Sequence, residues 1–257
     1  MRTGVMLMVL VLAAGTSGAA QADCKFTATR EGSADLAGVT KVVVAAGPGE
    51  LSIVGSADAR RIVARGNACA SSQELLDRLN LEVRREGDTV FIDAGLARAI
   101  NMITIGTVYA HINVGIALPT NLPVEARDSS GPVSVSGVAA LKLDDSSGDI
   151  EVRDVGSVEI KDSSGDILVD GVRGDATVTF DGSGDIEIRD VGGNAEVGSD
   201  GSGNIRFSGV LGNVLVGNDG SGDIVVENAG GDFTVGNDGS GTINHRGVAG
   251  KVTLPER

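Results

Sequence analysis

Aromatic side chains are nearly missing from this chain: no tryptophan, one tyrosine (Tyr109) and five phenylalanines in 257 residues. That leaves little for stacking sugar rings, and it suits a narrow core of Val, Ile, Leu and Ala. Histidine is scarce too. A Ser/His/Asp relay would have to recruit His111 or His245, and neither stands in a setting that marks a base. Phosphate loops are missing as well, because the "GSGD" turns lack both the following helix and the lysine. Basic residues are outnumbered: without Arg2 the chain carries 20 of them against 35 acidic ones, a net charge of −15. Such a balance argues against nucleic acid and against anionic membrane surfaces. A long hydrophobic run is also lacking. The most apolar stretch, "AINMITIGTVYAHINVGIALP", is broken by Asn101, His111, Asn113 and several glycines, and reads as strands with a loop.

The N-terminus has the pattern of a secretory signal peptide over residues 1–22. Arg2 precedes an apolar run from Val5 to Ala14, and Ala20-Gln21-Ala22 offers a small-x-small cleavage site. An exported chain is expected, mature from Asp23 and either periplasmic or at the cell surface. Export makes a disulfide the leading reading of the two cysteines, Cys24 and Cys69. The rivals are a lipid-modified Cys24, which Gln21 and Asp23 fit poorly, and a free thiol, for which no activating group is near in sequence.

What the chain has in abundance is glycine and a repeat. "DSSG" or "DGSG" begins at Asp128, Asp145, Asp162, Asp181, Asp200, Asp219 and Asp238, at spacings of 17, 17, 19, 19, 19 and 19 residues. A period near 20 signals a stacked array. Counted from each aspartate, the later copies are apolar at +5, +7, +10, +14 and +16; the copy at Asp200 has Ile205, Phe207, Val210, Val214 and Val216 there. The first two copies lose one residue in each of two corners, so the inward set is kept, ending at Leu141 and Leu143 and at Val158 and Ile160. Each copy reads as two short strands separated by glycine-rich turns. Two strands cannot bury a core alone. The prediction is an all-β, single-domain parallel β-solenoid (β-helix) with coils of 17–19 residues.

Residues 128–257 form the seven regular coils, continuous with degenerate coils over 23–127. There "GPGELSIVG" and "EGDTVFIDAG" echo the motif, and "SSQELLDRLNLEV" carries Leu75, Leu76 and Leu79 after a serine start, predicting one short helix. "HINVGIALPTNLPVEARDSSG" then alternates into the first regular coil. The segment Ala97–His111, with Met102, Ile103, Ile105 and Tyr109, is expected to be either an exposed apolar contact patch or a loop capping one end of the core.

Stacking turns the motif aspartate into a column of seven, with a second column at +4 (Asp149, Asp166, Asp185, Asp223). Neighbouring carboxylates repel by roughly 1 kcal/mol in a water-like dielectric. The expected compensation is local: an aspartate opening a turn accepts N–H groups two and three residues on. Calcium is the alternative, by analogy with nonapeptide solenoids. However, from Gly217 the copy matches at positions four and eight and fails at six, where Gly222 stands. The carboxylates repeat uniformly, which gives a polysaccharide-cleaving pair no distinguished coil. The last coil puts Arg246, Lys251 and Arg257 beside Pro255. This reads as protection of an open strand edge, or as a basic end that docks on an acidic partner.

Three stretches, "ELLDRLNLEVRREGDTVFI", "INVGIALPTNLPVEARDSSG" and the recurring "SGDIEV" units, resemble the bacterial putative-adhesin β-solenoid family of unknown function, related to autotransporter-adhesin head domains. The resemblance covers most of Lys41–Thr253. It implies the solenoid fold and an adhesin-like or structural role, and it carries over no catalytic residue. The expectation is a non-catalytic module of the cell envelope that needs no cofactor and does not span the membrane. Its partner would be an envelope or extracellular macromolecule. A calcium-stabilised secreted repeat protein and a polysaccharide-acting β-helix enzyme are the alternatives.

Overall fold

The structure, a computed structural model, describes residues 24–96 and 108–256. The signal peptide expected at 1–22, and Met102, Ile103 and Ile105 of the apolar insertion, lie outside the described residues.

Two 11-stranded sheets face each other, and each coil contributes one strand to each sheet. From Val133 onward the coils stack in sequence order and parallel register. Ile150, Ile167, Ile186, Ile205, Ile224 and Ile243 form one aligned column, and Val158, Ala176, Ala195, Val214, Phe233 and Val252 form another. The period-2 alternation fixes which side chains face in. In the coil from Asp200, Ile205, Phe207, Val210, Val214 and Val216 are all buried. Burial of each such side chain contributes roughly 1.5–3 kcal/mol, against the entropy of ordering it.

The change from 17- to 19-residue coils falls where the core is not disturbed. Ile160 pairs with Val178, but Lys161 pairs with Phe180, so Thr179 is an extra residue bulged at the end of the strand Ala176–Phe180. The Thr179 hydroxyl donates to the Ile160 carbonyl at 3.1 Å, and the inward faces on both sides stay aligned. Glycine at +3 makes the motif corner. Gly222 has φ 152°, and a Cβ there would lie 1.6 Å from the Gly203 carbonyl oxygen of the layer below.

Upstream, the layers do not follow the chain. The coil of Lys41–Ala46 and Leu51–Ser56 is slotted between the strands Thr89–Leu96 and Ala110–Pro119 on one side and Pro123–Arg127 and Val133–Ser136 on the other. The corner after Pro119 therefore skips one layer, tied by Leu122 N–H to Pro119 C=O at 3.3 Å and Ala139 N–H to Leu122 C=O at 3.2 Å. Beyond Ala110–Pro119 the sheets turn antiparallel. Arg61–Ala70 and then Phe26–Asp35 close one sheet, and Leu79–Glu86 closes the other.

The helix Gln73–Arg78 covers this end, with Leu75 and Leu76 buried and the Ser72 hydroxyl capping the Leu75 N–H. Arg30 reaches across to the carbonyls of Leu76 and Leu79, both at 3.1 Å. The opposite end is open. In the last coil Ile243, Val248 and Val252 are only half-buried, while His245 occupies an inward slot aligned with Val226 and is exposed. Its ring lies 6.0 Å from that of Phe233, which is buried in the layer below.

Candidate functional site

The seven aspartates do form a column, and it points into the molecule. Asp128, Asp145, Asp162, Asp181, Asp200 and Asp219 are 0–6% exposed, and Asp238 in the last motif coil is half-buried. Asp181 bridges to Asp200, and Asp200 and Asp219 lie in register with the next aspartate along. At ~4.8 Å per layer, two charged neighbours repel by about 3 kcal/mol at an effective dielectric of about 20. The compensation expected from N–H groups two and three residues on holds in part: the N–H two residues on acts on each of the six buried aspartates. The N–H three residues on is taken by stacking: Gly131 donates to Ser147 C=O of the next layer, and Gly148 to Ser164 C=O.

A short, aligned donor is found only at the very next residue, and only in some coils. Ser146 N–H donates to Asp145 Oδ1, and Ser163 N–H to Asp162 Oδ1, both at 2.7 Å. In the coils of Asp200, Asp219 and Asp238, where glycine follows the aspartate, that N–H is shared with the layer below. Gly201, Gly220 and Gly239 donate to the backbone carbonyls of Asp181, Asp200 and Asp219 one layer below. Glycine is required there, since a Cβ on Gly220 would meet the Gly201 carbonyl oxygen at 2.3 Å. The side-chain oxygens of Asp181, Asp200 and Asp219 are buried without an aligned hydrogen-bond partner, as are those of Asp128, which serine follows. Burial, followed by a neighbouring aspartate, pushes Asp128 and Asp200 up to about 7 and Asp181 and Asp219 up to about 6. Asp145 and Asp162 are raised by burial and held back by their serine N–H groups.

Exposed side chains form two further ladders at the corners. At +4, Asp149, Asp166, Asp185, Asn204 and Asp223 each accept the backbone N–H of the equivalent residue one layer on, at 2.8–3.2 Å. Asp175, Asn194, Asn213 and Asp232 do the same at the opposite corner, at 2.7–2.9 Å. The second ladder was not anticipated, although Asp or Asn recurs there at every 19-residue step.

A third column was missed as well: Gly137, Asp154, Gly171, Asp190, Gly209, Asn228 and Gly247 share left-handed backbone, φ 54–73°. Glycine and Asp/Asn alternate because each side chain leans over the next layer. A Cβ on Gly209 would sit 2.8 Å from Asp190 Oδ1.

Cys24 and Cys69 are joined as a disulfide, with Cα atoms 5.5 Å apart, tying the start of Phe26–Asp35 to Arg61–Ala70. His111 lies opposite Cys69 on the adjoining strand. Among the described residues, these three are the group of potential metal ligands gathered within 4.8 Å, and the disulfide occupies both sulfurs. Calcium takes 6–8 oxygens around a point. The column supplies carboxylates in line instead, one per layer. At the open end Arg246 pairs with Glu227 at 2.9 Å, and Arg257 lies outside the described residues.

Outward positions on the first sheet carry Glu151, Leu168, Glu187, Arg206, Val225 and Asn244 in one aligned row. Beside it Arg153, Asp170 and Arg189 pair across layers at 2.9 and 3.2 Å. Among the described residues, no helix is long and apolar enough to cross a membrane.

The family model described as Toastrack DUF4097 matches residues 70–240. No curated protein matches the chain. Among solved structures, a putative adhesin from Bacteroides fragilis is similar at 15% identity, over 90% of this chain and 98% of its own, with a TM-score of 0.51. A putative adhesin from Parabacteroides distasonis is similar at 14% identity over 87% and 98%, with a TM-score of 0.46. A putative lipid binding protein from the same organism is similar at 14% identity over 90% and 98%, with a TM-score of 0.43. At these identities the likeness is one of fold.

Proposed function

The chain belongs to the Toastrack DUF4097 family, and from that premise we propose that it is an exported, non-catalytic display module of the bacterial envelope. Its partner is an envelope or extracellular macromolecule bound on the outward faces of the coils. The observation that carries this reading is the contrast between the two sides of each strand. Inward positions are interchangeable apolar residues, whereas the aligned outward row runs Glu151, Leu168, Glu187, Arg206, Val225, Asn244, with a different side chain at almost every layer. A frame that holds backbone geometry constant and varies only what it shows is suited to recognition by an extended surface. Repeat solenoids use their faces in this way.

Surface digestion of intact cells with protease, followed by probing for the chain, tests the reading. Loss of the intact chain supports a surface adhesin, and protection until the envelope is broken supports a periplasmic scaffold. Turnover of an acidic glycan by the purified protein would overturn both.

A further inference from the structure

The corner does not need its aspartate. The layer Lys41–Ser56 turns at the same place with Ala46 aligned to Asp128, and its Gly49 has φ 133°, within the 119–152° spanned by Gly131 to Gly222. Even so, six consecutive layers bury a carboxyl there. Among the described residues, no basic side chain is seen to act on them. The charged groups that act on the column are all carboxyls. Asp128 faces Asp145, and Asp145 faces Asp162 and Asp144. Asp181 faces Asp162 and Asp166, Asp200 faces Asp181 and Asp219, and Asp219 faces Asp238. Backbone N–H groups of the next two residues lean toward most of these carboxyls, yet Asp128, Asp181, Asp200 and Asp219 keep both oxygens without an aligned donor.

We propose that the aspartate column is a proton-binding spine, in which buried carboxyls from Asp128 to Asp219 hold protons in mild acid, where exposed carboxyls have lost theirs, and share them between layers. A carboxylate only accepts hydrogen bonds, while a protonated carboxyl also donates. Layers are ~4.8 Å apart, and a carboxyl turned along the axis spans roughly half of that. The remainder is about one O–H···O length, ~2.7 Å. Each bound proton thus supplies an orphaned oxygen with a partner and removes one like-charge contact. Nothing but protons moves, and they come from solvent as the chain folds. Asp128, Asp181, Asp200 and Asp219 need the protons most, because they lack the aligned N–H that serves Asp145 and Asp162.

The consequence is a fold that tightens in acid. The unfolded chain releases these protons near pH ~3.9, whereas Asp128 and Asp200 hold theirs to about 7 and Asp181 and Asp219 to about 6. Folding therefore takes up protons between those limits. The stabilisation is fully present below the unfolded value and is lost as pH rises through 6 to 7.

Infrared spectra of the purified chain, labelled with carbon-13 at the aspartate carboxyl, read the protons directly. The expected result is a protonated-carboxyl band near pH ~5, above the unfolded value of ~3.9, that disappears on unfolding. Urea unfolding should show an equilibrium constant at least about tenfold larger near pH 8 than near pH 5, with Asp200→Asn flattening that dependence. A folded chain near pH ~5 without the band overturns the proposal. So does a titration with calcium alone in which the ion binds the column and a chelator lowers Tm. Should Asp200→Asn not fold, the band in the unaltered chain still decides.

Discussion

The coil with Ala46 at the motif corner and the coils with aspartate there make the same turn from different chemistry. Both place a glycine three residues on at strongly positive φ, 133° at Gly49 and 143° at Gly203, and both send the following glycine's N–H to the layer below, from Gly47 to Ala94 and from Gly201 to Asp181. The backbone corner therefore belongs to the glycines. The aspartate is an addition that the corner tolerates, and it puts a polar group inside an otherwise apolar core.

The comparison is most severely tested at the glycine. Gly49→Ala and Gly222→Ala should be equally damaging despite their different corners, because their Cβ atoms would meet carbonyl oxygens at 2.4 and 1.6 Å. Each is expected to cost about 4 kcal/mol or more in urea unfolding. Gly87→Ala, with φ 63° and nothing within 4 Å of the new Cβ, should cost about 1 kcal/mol.

The disulfide comes next, since it ties the capped end that flanks the Ala46 layer. Closing a separation of 45 residues stabilises by at most about 4 kcal/mol. Cys69→Ala should cost less than that, with hydrogen exchange rising in Phe26–Asp35 before the aspartate coils respond.

Ala46→Asp would extend the column by one carboxyl beside Asp128. It is predicted to destabilise by about 2 kcal/mol near pH 8, and by clearly less near pH 5, where the added group is protonated. An equal cost at both pH values would mean that the corner rejects the side chain for its shape.

The smallest effect is expected at the left-handed column. A Cβ on Gly247 would fall 2.6 Å from Asn228 Oδ1, so Gly247→Asn should cost about 1 kcal/mol at this open end. Adding Asn228→Gly should recover most of it by moving the side chain up one layer, as a double-mutant cycle would measure.

Much of the repeat was readable without coordinates. Two-residue alternation and the Asp-x-Ser-Gly spacing yield two sheets, the inward set and the harmless placement of the length change, because an insertion inside a strand would have turned its apolar face outward. The short helix was readable from Ser72 and the spacing of Leu75 and Leu76. The column at +9 was there to be read, since only Gly, Asp or Asn occurs at it, but its alternation has meaning only once neighbouring layers touch.

Other features lie beyond any one-dimensional pattern. Alternation says which face of Lys41–Ser56 is buried but is silent on which strands lie beside it, so the layer skipped after Pro119 could be settled only by packing. The fate of the motif aspartate is of the same kind. One copy of the motif looks like a polar turn with free N–H donors, and only stacking, which claims some of those donors for the adjoining layer, leaves the carboxyl inside and, at Asp128, Asp181, Asp200 and Asp219, without an aligned partner. The sequence by itself determined a solenoid and its core. The tertiary structure decided the order of the first layers and turned a surface-looking aspartate into a buried column, because hydrogen bonds between layers compete with those within a turn.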